Sequence, residues 1–174
     1  MKIPFSVGLN IEPSDYDRFV FTDEKTVIDE ELVLFSAVKT DTYFSKSNNV
    51  LFAKKHGKIV SDHFSHEQSL IITANEKRVL ISGCSHSGIV NIQNKAEQVA
   101  SNEMTVVVGG FHLYNPPTKK YESNDFIDSV ATVLKNKDSI YYTCHCTGIK
   151  AYERMKSTLG DRLKYLATGS NIVI

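Results

Sequence analysis

The most informative segment of this chain reads Ile81-Ser82-Gly83-Cys84-Ser85-His86-Ser87-Gly88. A run of β-branched and aliphatic residues leads into it, and apolar residues at helical spacing follow it, so the segment joins a predicted strand to a predicted helix. Its histidine lies just beyond the carboxyl end of that strand. In sheets flanked by helices, ligands bind in the crevice outside the carboxyl ends of the strands.

The same arrangement occurs twice more along the chain. The two further segments read Gly109-Gly110-Phe111-His112-Leu113 and Cys144-His145-Cys146-Thr147-Gly148. Imidazole is the commonest metal ligand and the usual general base near neutral pH. We therefore expect His86, His112 and His145 to share a metal or catalytic site. For each of them alone, a hydrogen-bonded structural histidine is the alternative, and His112 could also be a core residue.

Hydrophobic periodicity predicts the remaining elements. Helices are predicted from Ile89 to Ala100, after Ser123 and after Gly148, the last of them ending at Gly160. Strands are predicted at 32–37, 50–53, 58–60, 69–73, 78–82, 104–108, 140–143, 163–168 and 171–174. Alternation of strands and helices predicts one α/β domain over residues 1–174, in which residues 1–30 have no clear assignment.

Composition excludes several classes of function. The 174 residues include 20 basic and 20 acidic residues, and this zero net charge argues against a nucleic-acid partner or an anionic membrane surface. No apolar run approaches the ~18 residues of a membrane helix, and the first ten residues do not resemble a signal peptide. Three cysteines are too few for a disulfide framework, which favours a reducing, cytoplasmic location.

The cysteines allow two interpretations. Cys84 precedes His86 by two residues, so a Cys–His nucleophile pair is an alternative to a metal site. Cys144 and Cys146 flank His145, and the alternation of side chains along a strand predicts that both thiols face the packing layer, away from the crevice. They are therefore interpreted as structural.

Three further histidines are assigned to loops. His63 and His66 lie in Asp62-His63-Phe64-Ser65-His66-Glu67, which is not the zincin pattern, and Asp62 and Glu67 are the more interesting residues there. His56 is expected in a solvated turn. Residues 114–123 contain two prolines, which predict an exposed loop at the rim of the crevice. Lys119 or Lys120 could meet an anionic substrate there, with an ordinary solvated connection as the alternative.

In their order, the three histidine motifs resemble those of metallo-β-lactamase-fold hydrolases. Within that superfamily they are most similar to the branch named for 7,8-dihydropterin-6-yl-methyl-4-(β-D-ribofuranosyl)aminobenzene 5′-phosphate synthase. The segments 62–69 and 166–170 also fit, so the resemblance covers about residues 30–174. It implies an αββα sandwich, of which this chain is the C-terminal part, with His86 and His145 as ligands of one or two divalent ions. The ion is usually zinc and sometimes manganese or iron.

The resemblance also implies a reaction, in which metal-activated water attacks a phosphoryl or acyl centre of a small molecule. The superfamily's H-x-H-x-D-H motif is missing from residues 1–60, where His56 is the only histidine, and Gly110-Phe111-His112 stands where many relatives carry a bridging Asp. A non-catalytic metal-binding or assembly module therefore stays open beside a hydrolase. One sheet face would lack its cover, which predicts a homo-oligomer or pairing with a chain that carries the N-terminal half.

Overall fold

The computed structural model describes residue 17 and residues 19–174. The strands are β1 (Lys25–Val27), β2 (Leu32–Phe35), β3 (Phe52–Lys55), β4 (Lys58–Ser61), β5 (Ser69–Ala74), β6 (Lys77–Ser82), β7 (Val106–Gly109), β8 (Tyr114–Asn115), β9 (Lys120–Tyr121), β10 (Ile140–Thr143) and β11 (Leu163–Tyr165). The α-helices are α1 (Ile89–Ala100), α2 (Asn124–Lys135) and α3 (Ile149–Leu159), and short 3-10 helices include Lys46–Val50, His145–Thr147 and Gly160–Arg162. The α/β fold class is confirmed.

Seven strands form one mixed sheet in the order β1-β2-β5-β6-β7-β10-β11. The first four pair antiparallel, whereas β6, β7, β10 and β11 pair in parallel. Strands β3–β4 and β8–β9 form two separate antiparallel hairpins. Because β6, β7 and β10 are adjacent and parallel, the loops that follow their carboxyl ends meet at one edge of the sheet.

The two faces of the sheet differ in burial. Ile71, Leu80, Val107 and Tyr141 are at most 2% exposed and join the buried residues of the helices in one core. The alternate side chains form a second row that runs in register across five strands and is only half-buried. We call it the open-face row, and its members are Leu34, Leu70, Ile81, Val108 and Tyr142.

Two of the predicted segments differ from the structure. Residues 171–174 form no strand; instead Val173 and Ile174 line a cavity with Val106 and Ile140 on the open face of the sheet. Val173 is fully exposed and Ile174 is 42% exposed, so this apolar run lacks the burial that pairing in the sheet would give it. Within the predicted loop at 114–123, the short hairpin β8–β9 forms on either side of the two prolines.

Candidate metal centre

The loop that carries His86 is held by one carboxylate. The backbone N–H groups of His86 and Ser87 donate to Glu67 Oε1 and Oε2 at 2.7 and 2.8 Å. Hydrogen bonds to a charged group are stronger than neutral ones, so this pair fixes the loop after β6. Of the segment 62–67, Glu67 thus makes direct contact with the site, while His63 and His66 are exposed.

Asn48 sets the orientation of the His86 ring. Its side-chain Nδ2 donates to the His86 carbonyl at 2.8 Å, so its Oδ1, 3.0 Å from His86 Nδ1, is the acceptor. This arrangement places the proton on Nδ1 and leaves the lone pair on Nε2. Phe64 stacks on the other side, with ring centroids 4.5 Å apart and planes at 8°. Metal-binding histidines typically have such a hydrogen-bond partner on the second nitrogen.

His112 lies directly beside His86, with ring centroids 4.1 Å apart. It is 6% exposed, and neither of its ring nitrogens has a hydrogen-bond partner among the described residues. Burial lowers the pKa of His112 to about 4, and electrostatic repulsion from His86 is the second cause of this shift. The ring is therefore neutral at pH 7. A buried polar group without a partner typically costs about 1–3 kcal/mol, and a bound ion would remove that cost. These properties fit a metal ligand better than a core residue.

His145 opens the 3-10 helix that follows β10 and is exposed. Its Nδ1 lies 3.6 Å from the Sγ of Cys84, in the loop that also carries His86. Electrostatic effects of both His86 and His145 act on His112. The structure thus brings the three histidines predicted from the sequence to the same edge of the sheet.

The prediction that both thiols beside His145 face away from the crevice is wrong for Cys146. The Sγ atoms of Cys84 and Cys146 and a ring nitrogen of His145 lie within 4.8 Å of one another. Alternation along the strand ends at Thr143, because the following residues form a 3-10 helix. A side-chain hydrogen bond with Cys146 is the main effect that lowers the pKa of Cys84. The pKa of Cys146 is raised because its proton is held in that bond and because it is buried.

Backbone contacts tie the three loops together. Gly110 N–H donates to Gly83 O at 2.8 Å, and Leu113 N–H donates to Cys146 O at 3.0 Å. A Cβ on Gly110 would lie 2.6 Å from Cys146 Sγ, closer than real contacts allow. The glycine after β7 is therefore required for the loops after β7 and β10 to meet.

Comparisons with known proteins agree with this geometry. No protein-family model matches the chain. A 7,8-dihydropterin-6-methyl-4-(β-D-ribofuranosyl)-aminobenzene-5′-phosphate synthase of Methanocaldococcus jannaschii is 28% identical over 123 residues, which are 70% of this chain and 40% of that protein. An uncharacterized protein of the same organism, MJ0448, is 34% identical over 101 residues, which are 58% of this chain and 35% of that protein.

A solved structure gives the comparison at the level of the fold. It is described as Tm1679, a metal-dependent hydrolase of the β-lactamase superfamily, and it matches 90% of this chain with a TM-score of 0.72 and 25% identity. This chain has a metallo-β-lactamase-type fold. The resemblance predicted from the histidine motifs is thereby confirmed. The match covers 58% of the solved chain, and the chain spans less than half the length of the two curated relatives.

Lys119 and Lys120 lie on the hairpin of this fold that follows His112. Both side chains are exposed, and Lys120 lines a cavity of about 340 Å³ together with Lys46 and Glu122. Lys46 belongs to the same 3-10 helix as Asn48, so one element connects this cavity to the His86 ring. None of the helices formed by the described residues has the length and apolar character needed to cross a bilayer.

Two residues of the site have no signal in the sequence. Asn48 and Phe64 contact His86 from segments 38 and 22 positions earlier in the chain. An isolated Asn in a polar stretch and a Phe in a loop are common features of any soluble protein, so only the folded geometry shows their role. His56, by contrast, lies exposed in the turn between β3 and β4, as predicted.

Proposed function

We propose that this chain carries part of the centre of a metal-dependent hydrolase, in which His86, His112 and His145 bind a divalent ion. The proposal rests on the buried His112 ring, which lacks a hydrogen-bond partner among the described residues and lies with its centroid 4.1 Å from that of the His86 ring. Zinc is the ion that we favour, because neutral imidazole is among its usual ligands, with manganese or iron as alternatives.

When bound, such an ion would lower the pKa of a coordinated water to about 7 and so supply hydroxide for attack on a phosphoryl or acyl centre. The chain's own residues have positioning roles. Asn48 holds the proton of His86 on Nδ1, so that Nε2 is free to bind. Glu67 keeps the loop of His86 in place through two backbone N–H groups. The substrate is a small phosphorylated or acyl compound.

Lys119 and Lys120 are proposed to contact the anionic part of that substrate. Lys120 and Lys46 contribute positive charge to the cavity beside the site. In a Lys119→Ala/Lys120→Ala variant we expect KM to rise about tenfold with little change in kcat, because the lysines bind the substrate without reacting. Lys54→Ala/Lys55→Ala, an exposed pair on β3, is the matched control. Unchanged KM in the first variant would contradict the assignment.

The activity itself is tested on zinc-loaded and manganese-loaded protein with phosphodiesters, phosphomonoesters and lactams. We expect hydrolysis of at least one class, and its loss in His112→Leu. A second candidate function is a non-catalytic metal-binding or assembly module, which the absence of an H-x-H-x-D-H motif from the sequence favours. A protein that binds metal and is inert to all three classes would support this second candidate.

We further propose that residues 1–174 correspond to the C-terminal part of one domain, and that a polypeptide with the other half of the fold covers the open-face row. The aligned, half-buried apolar side chains of five strands and the 58% coverage of the solved chain support this occupant. Mixing this chain with a polypeptide that carries the other half of the fold should raise the affinity of the site for metal, since that polypeptide would add ligands. A reducing, cytoplasmic location fits three free cysteines.

A further inference from the structure

A second group of donor atoms lies beside the histidine pair. It consists of the Sγ atoms of Cys84 and Cys146 and a ring nitrogen of His145, all within 4.8 Å of one another. We propose that these three residues form a thiolate-containing metal site that prefers zinc and chemically similar ions. The inference deepens the proposed function, because His145 belongs to both sets of ligands, and it adds two ligands that the histidine set does not contain.

The separations suit a tetrahedral ion. With Zn–S near 2.3 Å and Zn–N near 2.0–2.1 Å, a sulfur and a nitrogen ligand of one zinc lie about 3.6 Å apart. Cys84 Sγ and His145 Nδ1 lie 3.6 Å apart in the structure. The widest separation in the group is at most 4.8 Å, so it has to shorten by no more than about 1 Å on binding. Use of Nδ1 here leaves Nε2 of His145 as the nitrogen available to an ion on the histidine side.

The position of Cys146 is set by the backbone around it. The side chain is 2% exposed, and its Sγ lies 3.4 Å from the carbonyl oxygen of Cys84. On its other side, Gly110 leaves room for the sulfur, since a Cβ there would come within 2.6 Å. The loops after β6, β7 and β10 thus each contribute to placing this thiol, which orders one ligand before the ion binds.

Two sulfurs and one nitrogen select a class of ion. Thiolate ligands favour zinc and softer ions, whereas manganese and magnesium favour oxygen. Three protein ligands also leave the fourth tetrahedral position free for water or another group, as in catalytic zinc sites. The site therefore differs in metal preference from an oxygen-rich centre, and this difference can be measured directly.

Cobalt(II) is the probe, because cobalt bound to thiolate absorbs in the near ultraviolet and cobalt bound to imidazole alone does not. We titrate the full chain anaerobically with a phosphine reductant and expect this absorption. Cys84→Ser or Cys146→Ser should lower it by about half, since one of two sulfurs is lost, and weaken cobalt binding about tenfold or more. Cys144→Ser, which removes the thiol on the other side of His145, is the matched control and should change neither quantity.

The outcomes separate this inference from the proposed function. Bound cobalt without thiolate absorption would overturn the thiolate site and leave the histidine centre standing. Thiolate absorption in a protein without hydrolase activity would leave the thiolate site standing and count against the hydrolase. Equal loss of absorption in Cys144→Ser would also overturn the inference.

A measurement on the unmodified protein tests the same site without depending on whether the variants fold. Cys84 and Cys144 are both half-buried, so their rates of alkylation by iodoacetamide can be compared within one chain by mass spectrometry. Zinc should slow the alkylation of Cys84 about tenfold or more and leave that of Cys144 unchanged, because a coordinated thiolate is a poorer nucleophile. Equal rates for Cys84 with and without zinc would contradict the site.

Discussion

At the scale of single residues, His112 differs most from its surroundings. Its neighbours Phe111 and Leu113 are core residues at 2% and 1% exposure, while His112 is 6% exposed and has two ring nitrogens without partners among the described residues. In the metal-free protein such a ring is a local instability. The presence of this ring is explained if ion binding stabilises the folded state by more than the unpaired ring destabilises it.

Replacement of this ring by an apolar side chain should therefore have opposite effects with and without metal. In His112→Leu we expect the metal-free free energy of unfolding to stay constant or rise by about 1–2 kcal/mol, because an unpaired buried group is removed. In a Cys84→Ser/Cys146→Ser background, which lacks the thiolate ligands, zinc at 100 times its Kd should stabilise the protein by about 2.7 kcal/mol and its His112→Leu variant by much less. Thermal denaturation with EDTA or zinc measures both. His63→Leu, an exposed histidine, is the control, and an unchanged zinc effect in His112→Leu would contradict the role of His112.

Asn48 is a positioning residue for His86. Loss of a partner that orients a metal-binding histidine typically weakens metal affinity about 10–100-fold, and we expect this range for Asn48→Ala. The affinity is measured by competition with a chromophoric chelator. Asn94→Ala, which removes an exposed amide on α1, should leave affinity unchanged. Equal affinities for both variants would show that Asn48 does not orient the ring.

At the scale of elements, most of the fold follows from local pattern. Hydrophobic periodicity predicted the strands β3, β4, β5 and β6, and helical spacing predicted α1, α2 and α3. The prediction failed where tertiary contact replaced local pattern. The thiol of Cys146 turns toward Cys84 because the strand ends at Thr143 and a 3-10 helix follows it. Residues 171–174 form no strand, and Val173 is fully exposed. Asn48 and Phe64 reach the site through contacts distant in sequence, for which no local pattern exists.

The contact between the loops after β7 and β10 can be tested by a double-mutant cycle. Gly110→Ala should lower the free energy of unfolding by about 1–3 kcal/mol, because its Cβ would collide with Cys146 Sγ. In a Cys146→Ala background the same change should cost about 1 kcal/mol less, since the colliding atom is gone. Urea denaturation of the four proteins measures the coupling. Additive effects would contradict the close packing of these loops.

At the scale of the whole molecule, the chain spans only part of its relatives, and one sheet face carries an apolar row across five strands. Apolar patches above a few hundred Å² are uncommon on monomers. In the absence of the other half of the fold, we expect the chain to self-associate through this face at micromolar concentration. Tyr142→Glu, at the half-buried end of the row, should shift the protein toward a 19.5 kDa monomer.

Light scattering coupled to size-exclusion chromatography measures this mass. Tyr165→Glu adds the same charge on the exposed edge strand β11, outside the open-face row, and serves as the control. If the unaltered chain elutes as a 19.5 kDa monomer and shows a cooperative thermal transition, the open face does not need to be covered by another polypeptide.

Joint binding of one metal ion by His86, His112 and His145 is tested by the zinc content of a Cys84→Ser/Cys146→Ser protein, in which imidazoles are the ligands that remain at the site. After loading with zinc and exhaustive dialysis, we expect about one zinc ion per chain, and a further His112→Leu change should remove it. Less than ~0.2 zinc per chain before that change would contradict binding by the three histidines.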